Sequence, residues 1–150
     1  MFDKNVPLES FVVQEGNKYL FRMICSSGMF GFRVSVDNHM LTAVAMDGHD
    51  IEAYETHYIT IFPGERFDFY ITADQPAGQY WFRMETLEFW EIRDLGARDA
   101  PFKRVEPHLA VAILDYGVDS NTLWPRTHPT TQDWECTTEE PCTVLNCAFG

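Results

Sequence analysis

Histidine and cysteine are the residue types in this sequence that most readily carry metal or redox chemistry, and the chain of 150 residues contains five and four of them. A copper, zinc or iron site needs at least two imidazole or thiolate ligands close together. A strand supplies them most simply as His-x-His, because alternate side chains share one face. The sequence contains no such pair. We therefore interpret all the histidines as turn and strand-end residues that bind no metal: His39, His49, His57, His108 and His128.

The cysteines are unevenly distributed along the chain. Cys25 stands alone, whereas Cys136, Cys142 and Cys147 lie together near the C-terminus, with a spacing that matches neither Cys-x-x-Cys nor a zinc pattern. Because a polar segment rich in Thr and Glu has no core to bury thiols, we favour disulfides over four free thiols in a reducing compartment. A cluster of three leaves one over, so either Cys25 pairs with it across the fold or two thiols have partners outside this segment.

Other kinds of active site find no support in the sequence. There is no Gly-x-Ser-x-Gly elbow, and the Ser26-Ser27-Gly28 stretch has no predicted base nearby. The glycine-rich motifs that cradle phosphates are also missing. Carboxylates are plentiful, but those in the irregular stretch after residue 84 are typical of a solvated face.

The charge balance bears on possible partners. Lys and Arg number 11 against 23 Asp and Glu, which gives a formal net charge of -12 at pH 7. Nucleic acid and anionic membrane surfaces would repel such a chain, so we expect neither as a partner. The sequence has no apolar run long enough to span a membrane, and its first ten residues lack the features of a secretory signal.

Apolar residues alternate with polar ones through most of residues 18–84, which is the pattern of half-buried strands. Turn-forming pairs such as Asp47-Gly48 and Pro63-Gly64 separate these runs about every ten residues, a rhythm typical of an antiparallel sandwich. The stretch 85–107 is predicted to be a loop with one helical turn around residues 88–95, and residues 108–117 resume as a buried strand. Residues 118–150 have no periodicity and are interpreted as a surface tail or interdomain linker.

Three arginines project outward from the predicted strands. They are expected to pair with carboxylates on neighbouring strands and so to help set strand register, each pair contributing about 0.2 to 1 kcal/mol. The arginines are Arg22, Arg66 and Arg83, and the candidate partners are Asp68, Asp74 and Glu85.

Six motifs in order over about 65 residues carry a resemblance to a known family. They are Y-x-F-R at residues 19–22, V-D-N-H at 36–39, D-G-H at 47–49, P-G-E-R-F-D at 63–68, A-D-Q-P at 73–76 and G-Q-Y-W-F-R at 78–83. Together they resemble the second cupredoxin-like domain of multicopper oxidases, the group of laccases and ascorbate oxidases. The closing T-V-L-N-C-A-F at 143–149 is similar to the end of that domain in animal laccase-like members.

The resemblance implies an all-β, Greek-key cupredoxin-like sandwich over residues 1–117, with 118–150 leading toward a third domain. In the family, copper is bound by the first and third domains, so copper is expected in the parent enzyme and none in this segment. The parent is expected to be secreted, to oxidise small aromatic donors and to reduce O2 to water. This segment would be a structural middle domain, inactive in isolation, with flanking cupredoxin domains of the same chain as its partners.

The resemblance also places the loop after the first matched strand in one wall of the substrate pocket. The residues concerned are Ser26, Ser27, Met29 and Phe30, and the loop lacks the carboxylate with which several laccases accept a phenol proton. Met29 would then offer an apolar or sulfur contact to the substrate. Cys25, in the same loop, is a candidate for a disulfide to a neighbouring domain. The alternative hypothesis is a free-standing, non-catalytic interaction module with the cupredoxin fold.

Overall fold

The computed structural model describes residues 8–87, 107–117 and 129–146, which form ten strands in two sheets. No helix occurs within these ranges, and hence none that is long and apolar enough to cross a membrane. The all-β prediction is confirmed. The strands are β1 (Ser10–Val12), β2 (Lys18–Ile24), β3 (Phe32–Val36), β4 (Leu41–Met46), β5 (His49–Thr56), β6 (Tyr58–Ile61), β7 (Arg66–Thr72), β8 (Gln79–Thr86), β9 (Leu109–Asp115) and β10 (Val144–Leu145).

The smaller sheet has the order β2-β7-β4-β5, with antiparallel neighbours throughout. In β7 the side chains of Phe67, Phe69 and Ile71 point inward and are at most 1% exposed, while the residues between them face outward. This is the alternation of period two on which the strand prediction rested. The hairpin from β4 to β5 turns on Asp47 and Gly48, which have φ values of 52° and 82°, as a two-residue hairpin turn of the primed type requires.

The larger sheet has the order β1-β9-β8-β3-β6-β10 and is mixed. Its four central strands are antiparallel to one another, whereas the short edge strands β1 and β10 run parallel to β9 and β6. The first and last strands of the described residues therefore lie at opposite edges of this sheet.

Aromatic side chains fill the space between the two sheets. Phe21 stacks on Phe69 with ring centroids 5.7 Å apart, and Phe82 of the larger sheet lies 5.7 Å from Phe21. Phe11 of β1 closes the cluster with an edge contact to Phe21 at 5.3 Å. Complete burial of a phenylalanine side chain stabilises a fold by about 1.5 to 3 kcal/mol, so this cluster helps to hold the sheets face to face.

Three strands are not predicted by the alternation of apolar and polar residues. β5 begins at His49, a residue interpreted as part of a loop tip, and most of its side chains are exposed on both faces because it is an edge strand. The strands β1 and β10 have three and two residues, too few to show a period. The helical turn predicted around residues 88–95 lies outside the described residues.

Part of the segment interpreted as a surface tail or interdomain linker lies against the larger sheet. Residues 129–146 pack along the larger sheet and contribute β10 to its edge, because Thr, Asp and Asn side chains in this segment find partners on the sheet.

Candidate functional site

The loop at residues 25–31 joins the two sheets, because it follows β2 of the smaller one and precedes β3 of the larger one. Its first residue is bound to the turn before β7: the amide of Cys25 donates to the carbonyl of Glu65 at 3.0 Å, and the amide of Gly64 donates to the carbonyl of Cys25 at 2.8 Å. At its other end the carbonyl of Gly31 accepts from the amide of Leu87 at 2.9 Å. Both ends of the loop are therefore fixed to the sandwich.

The predicted pocket-wall residues lie within this loop. The hydroxyl of Ser27 accepts hydrogen bonds from the amides of Met29 and Phe30, at 3.3 and 3.0 Å, which fixes a tight turn. Ser26 is exposed, Ser27 and Phe30 are half-buried, and the Met29 side chain is 68% exposed. The loop thus presents a thioether and a hydroxyl to its surroundings but no carboxylate that could accept a proton.

The sulfur chemistry of the described residues divides between one disulfide and one buried thiol. Cys136 and Cys142 are joined, which confirms the expectation of a disulfide in the C-terminal cluster. Cys25 is a free cysteine, 6% exposed, in the hydrophobic core. Cys147 lies outside the described residues.

His39 is a buried histidine with a hydrogen-bond partner at each ring nitrogen. It is 1% exposed, its Nδ1 donates to the carbonyl of Asp37, and its Nε2 therefore accepts from the hydroxyl of Tyr116, both at 2.7 Å. Burial lowers its pKa from the ordinary value of 6.5, against an opposing effect of the hydrogen bond to Asp37. Both ring nitrogens are occupied, so His39 cross-links the turn after β3 to the end of β9 and has no free lone pair for a metal.

The other described histidines occupy three different places along the chain. His57, between β5 and β6, accepts from the amide of Thr143 through Nδ1 at 3.1 Å. His49 is exposed at the start of β5, His108 precedes β9, and His128 lies outside the described residues. In the part of the chain that the structure describes, no three His, Cys, Asp or Glu side chains are grouped so that they could hold a metal ion.

A polar network that the sequence did not reveal covers the outer face of the larger sheet. Arg83 of β8 binds the buried carboxylate of Asp37 in a bidentate ion pair, and this hydrogen bond raises the pKa of Arg83. Arg33 of β3 pairs with Glu85 and lies over the ring of Tyr58, 4.7 Å from its centroid. A small polar cavity of about 150 Å³ lies on this face, lined by Arg33, Ser35, Arg83, Glu85, Leu109 and Asp133.

The ten-strand sandwich is the fold in which the six motifs would be expected, and a family model decides the assignment: the model for multicopper oxidases matches residues 2–117. This chain belongs to the multicopper oxidase family. Copper is expected in that family, and in the described part of this multicopper oxidase domain both ring nitrogens of His39 already have hydrogen-bond partners.

Laccases are among the relatives of this multicopper oxidase domain. Laccase-3 of Botryotinia fuckeliana is 42% identical over 73 residues, which cover 49% of this chain and 16% of that protein. Laccase-3 of Thanatephorus cucumeris is 29% identical over 122 residues, 81% of this chain and 18% of its own length. The crystal structure of a laccase from Botrytis aclada aligns with 85% of this chain and 21% of its own, at a TM-score of 0.62 and 28% identity. The chain therefore spans about a fifth of these relatives, as a laccase-like cupredoxin domain.

Proposed function

We propose that this chain is the middle cupredoxin domain of a laccase-like multicopper oxidase, a secreted enzyme that oxidises small aromatic donors and reduces O2 to water. The observation that carries the proposal is the likeness to laccases, which extends over only 16% to 21% of their length. In this proposal the flanking cupredoxin domains of the same chain hold the copper. The domain described here spaces them and contributes to the substrate pocket.

The pocket-wall role is assigned to the loop residues Ser26, Ser27, Met29 and Phe30. Two contacts support the assignment, because they bring the loop close to the point where the described chain ends. The side chain of Asn146 donates to Oε2 of Glu65 at 2.9 Å, and the backbone carbonyl of Glu65 accepts from the amide of Cys25 at 3.0 Å. A domain that follows Asn146 would therefore lie beside this loop. Without a carboxylate, the loop binds the aromatic donor through sulfur and apolar contacts and leaves proton transfer to other groups.

Steady-state kinetics of the natural parent enzyme test the pocket wall. In Met29→Ala the KM for an aromatic donor should rise several-fold while kcat stays unchanged, because the contact is made equally in the ground and transition states. Val12→Ala is the matched control, since Val12 is 64% exposed on the edge strand β1, which β9 and β8 separate from β3. An unchanged KM for every donor in Met29→Ala would remove the loop from the pocket.

The extent of the natural reading frame tests the domain assignment itself. The proposal expects His-x-His pairs encoded on both sides of this segment. A stop codon directly after Gly150 and no coding sequence upstream would instead favour a free-standing interaction module.

Titration of the 150-residue chain with Cu(II) tests the proposal that the flanking domains, and not this one, hold the copper. We expect no intense blue absorption, because that colour arises from a copper bound by a cysteine and two histidines. A strong blue band would show that this segment builds a copper site of its own.

A further inference from the structure

Residues 129–146, which we term the strap, cross the outer face of the larger sheet. At the N-terminal end of the strap the hydroxyl of Thr131 donates to Oδ2 of Asp37 at 2.6 Å, and the carbonyl of Thr131 accepts from Nη2 of Arg83 at 3.2 Å. Two residues further along, Oδ1 of Asp133 accepts from the hydroxyl of Ser35 at 3.0 Å. The two contacts of Thr131 add hydrogen bonds to the buried ion pair of Asp37 and Arg83. Undocking this end of the strap would remove hydrogen bonds from buried charged groups, which costs free energy.

A second anchor lies after the strap's disulfide. The carbonyl of Thr143 accepts from the amides of His57 and Tyr58, both at 3.2 Å, and from the hydroxyl of Thr56 at 2.9 Å. β10 then pairs with β6, and the side chain of Asn146 donates to the carbonyl of Thr60 at 3.0 Å. This end of the strap is bound mainly through backbone groups.

Both anchors converge on one side chain. The indole of Trp134, just before the disulfide, meets the ring of His57 edge-on with centroids 4.7 Å apart, and Thr143, just after it, donates its amide to Nδ1 of His57 at 3.1 Å. Between these two contacts residues 135–141 are all exposed, and the bond from Cys136 to Cys142 spans them. The disulfide therefore joins the two binding segments directly, across the exposed loop that connects them in sequence.

Cross-linking such a loop removes conformational freedom that the undocked strap would otherwise regain, so docking of one anchor promotes docking of the other. We propose that the Cys136–Cys142 disulfide is a redox-sensitive latch: while it is intact the strap binds the sheet as one unit, and its reduction releases the strap from the outer face. The inference does not depend on the proposed oxidase function.

The chemical step is thiol–disulfide exchange with a dithiol reductant. A thiolate of the reductant attacks one sulfur of the pair, the other leaves as a thiolate that takes up a proton, and the second thiol of the reductant resolves the mixed disulfide. Two electrons pass to the protein, which ends with two thiols, and the reductant ends as a cyclic disulfide. Cys136 is exposed, so the reductant can reach it.

Hydrogen exchange of the 150-residue chain, followed by mass spectrometry, measures the latch directly. In the variant with both Cys136→Ser and Cys142→Ser, amides of residues 129–146 should exchange on the order of tenfold faster or more, as expected for losing the cross-link of a short loop. Peptides from β2, β4 and β7 of the smaller sheet should keep their wild-type exchange rates. Cys147→Ser is the matched control and should leave the strap unchanged.

Two results would overturn the latch. One is unchanged exchange of the strap in the double variant. The other is faster exchange of the strap and the core strands together, which would mean that the disulfide supports the whole sandwich rather than a local unit. If the double variant does not fold, brief treatment of the folded wild-type protein with a dithiol gives the same comparison of strap and core peptides, read by the same two criteria.

Discussion

Arg83 binds Asp37 through two parallel hydrogen bonds, from Nε to Oδ1 at 2.7 Å and from Nη2 to Oδ2 at 2.9 Å. The Asp37 carboxylate is fully buried and the Arg83 side chain is 18% exposed. Thr131 of the strap adds a third hydrogen bond to the same carboxylate. This pair therefore joins β8, the turn after β3 and the C-terminal segment at one point.

Removing the carboxylate should be strongly destabilising. In Asp37→Ala the Arg83 guanidinium keeps its charge in a mostly buried site without a partner, and we expect a loss of about 3 kcal/mol in the free energy of unfolding. Urea denaturation measures the free energy of unfolding of the variant and the wild type. Arg22→Ala is the control, because Arg22 is 75% exposed and 3.5 Å from Asp68, and should cost under about 1 kcal/mol. Equal losses in the two variants would contradict the central role of the buried pair.

Acid should destabilise the fold through His39. Burial lowers its pKa below the value of 6.5 that it has when unfolded, so the unfolded chain takes up the proton first. The stabilisation is complete above pH 6.5 and declines as the pH falls below it. Denaturation midpoints between pH 7 and pH 5 should fall more steeply for the wild type than for His39→Gln, which cannot titrate. Parallel pH profiles would show that the buried imidazole is not responsible.

High pH should destabilise the fold by ionising Tyr58. Burial, followed by the charge of Asp133, raises the pKa of Tyr58 from 10.0 to about 12. The folded state therefore retains the phenolic proton longer than the unfolded state, and the stabilisation present below pH 10 is lost as the pH rises toward 12. Tyr58→Phe should flatten this part of the stability profile, whereas Tyr54→Phe, at an exposed position of β5, should not. If stability declined identically with rising pH in both variants, groups other than Tyr58 would be responsible.

The loop that bears Met29 depends on the small size of Gly31. A Cβ atom at that position would lie 2.8 Å from Cδ1 of Phe62 and 3.3 Å from the carbonyl oxygen of Ile61, so the ring or the loop must shift. Gly31→Ala is expected to lower the free energy of unfolding by about 1 to 3 kcal/mol. Gly28→Ala in the same loop meets nothing within 4 Å and serves as the control. Thermal melts of the two variants should differ accordingly, and coincident melts would show that the contact with Phe62 is readily relieved.

The predicted ion pairs show how far register can be read from a sequence. The pair between Arg22 and Asp68 is confirmed. The expectations for Arg66 and Arg83 are wrong, since these residues bind Asp47 and Asp37. Each of these aspartates lies in a turn. Asp47 follows β4, which pairs with the strand of Arg66, and Asp37 follows β3, which pairs with the strand of Arg83. An alternating pattern tells which face a side chain occupies, but it does not tell how far neighbouring strands are offset.

The sequence alone was sufficient for the fold class and the family. Strand alternation is a local property and six ordered motifs survive in the primary structure, so both could be recognised without coordinates. The His39–Tyr116 bond, the Asp37–Arg83–Thr131 cluster and the docking of the strap were decided only by the tertiary structure. Their members lie 46 to 98 residues apart. Contacts over such separations depend on sheet order and on the packing of one sheet against another, and no local pattern of residues encodes either.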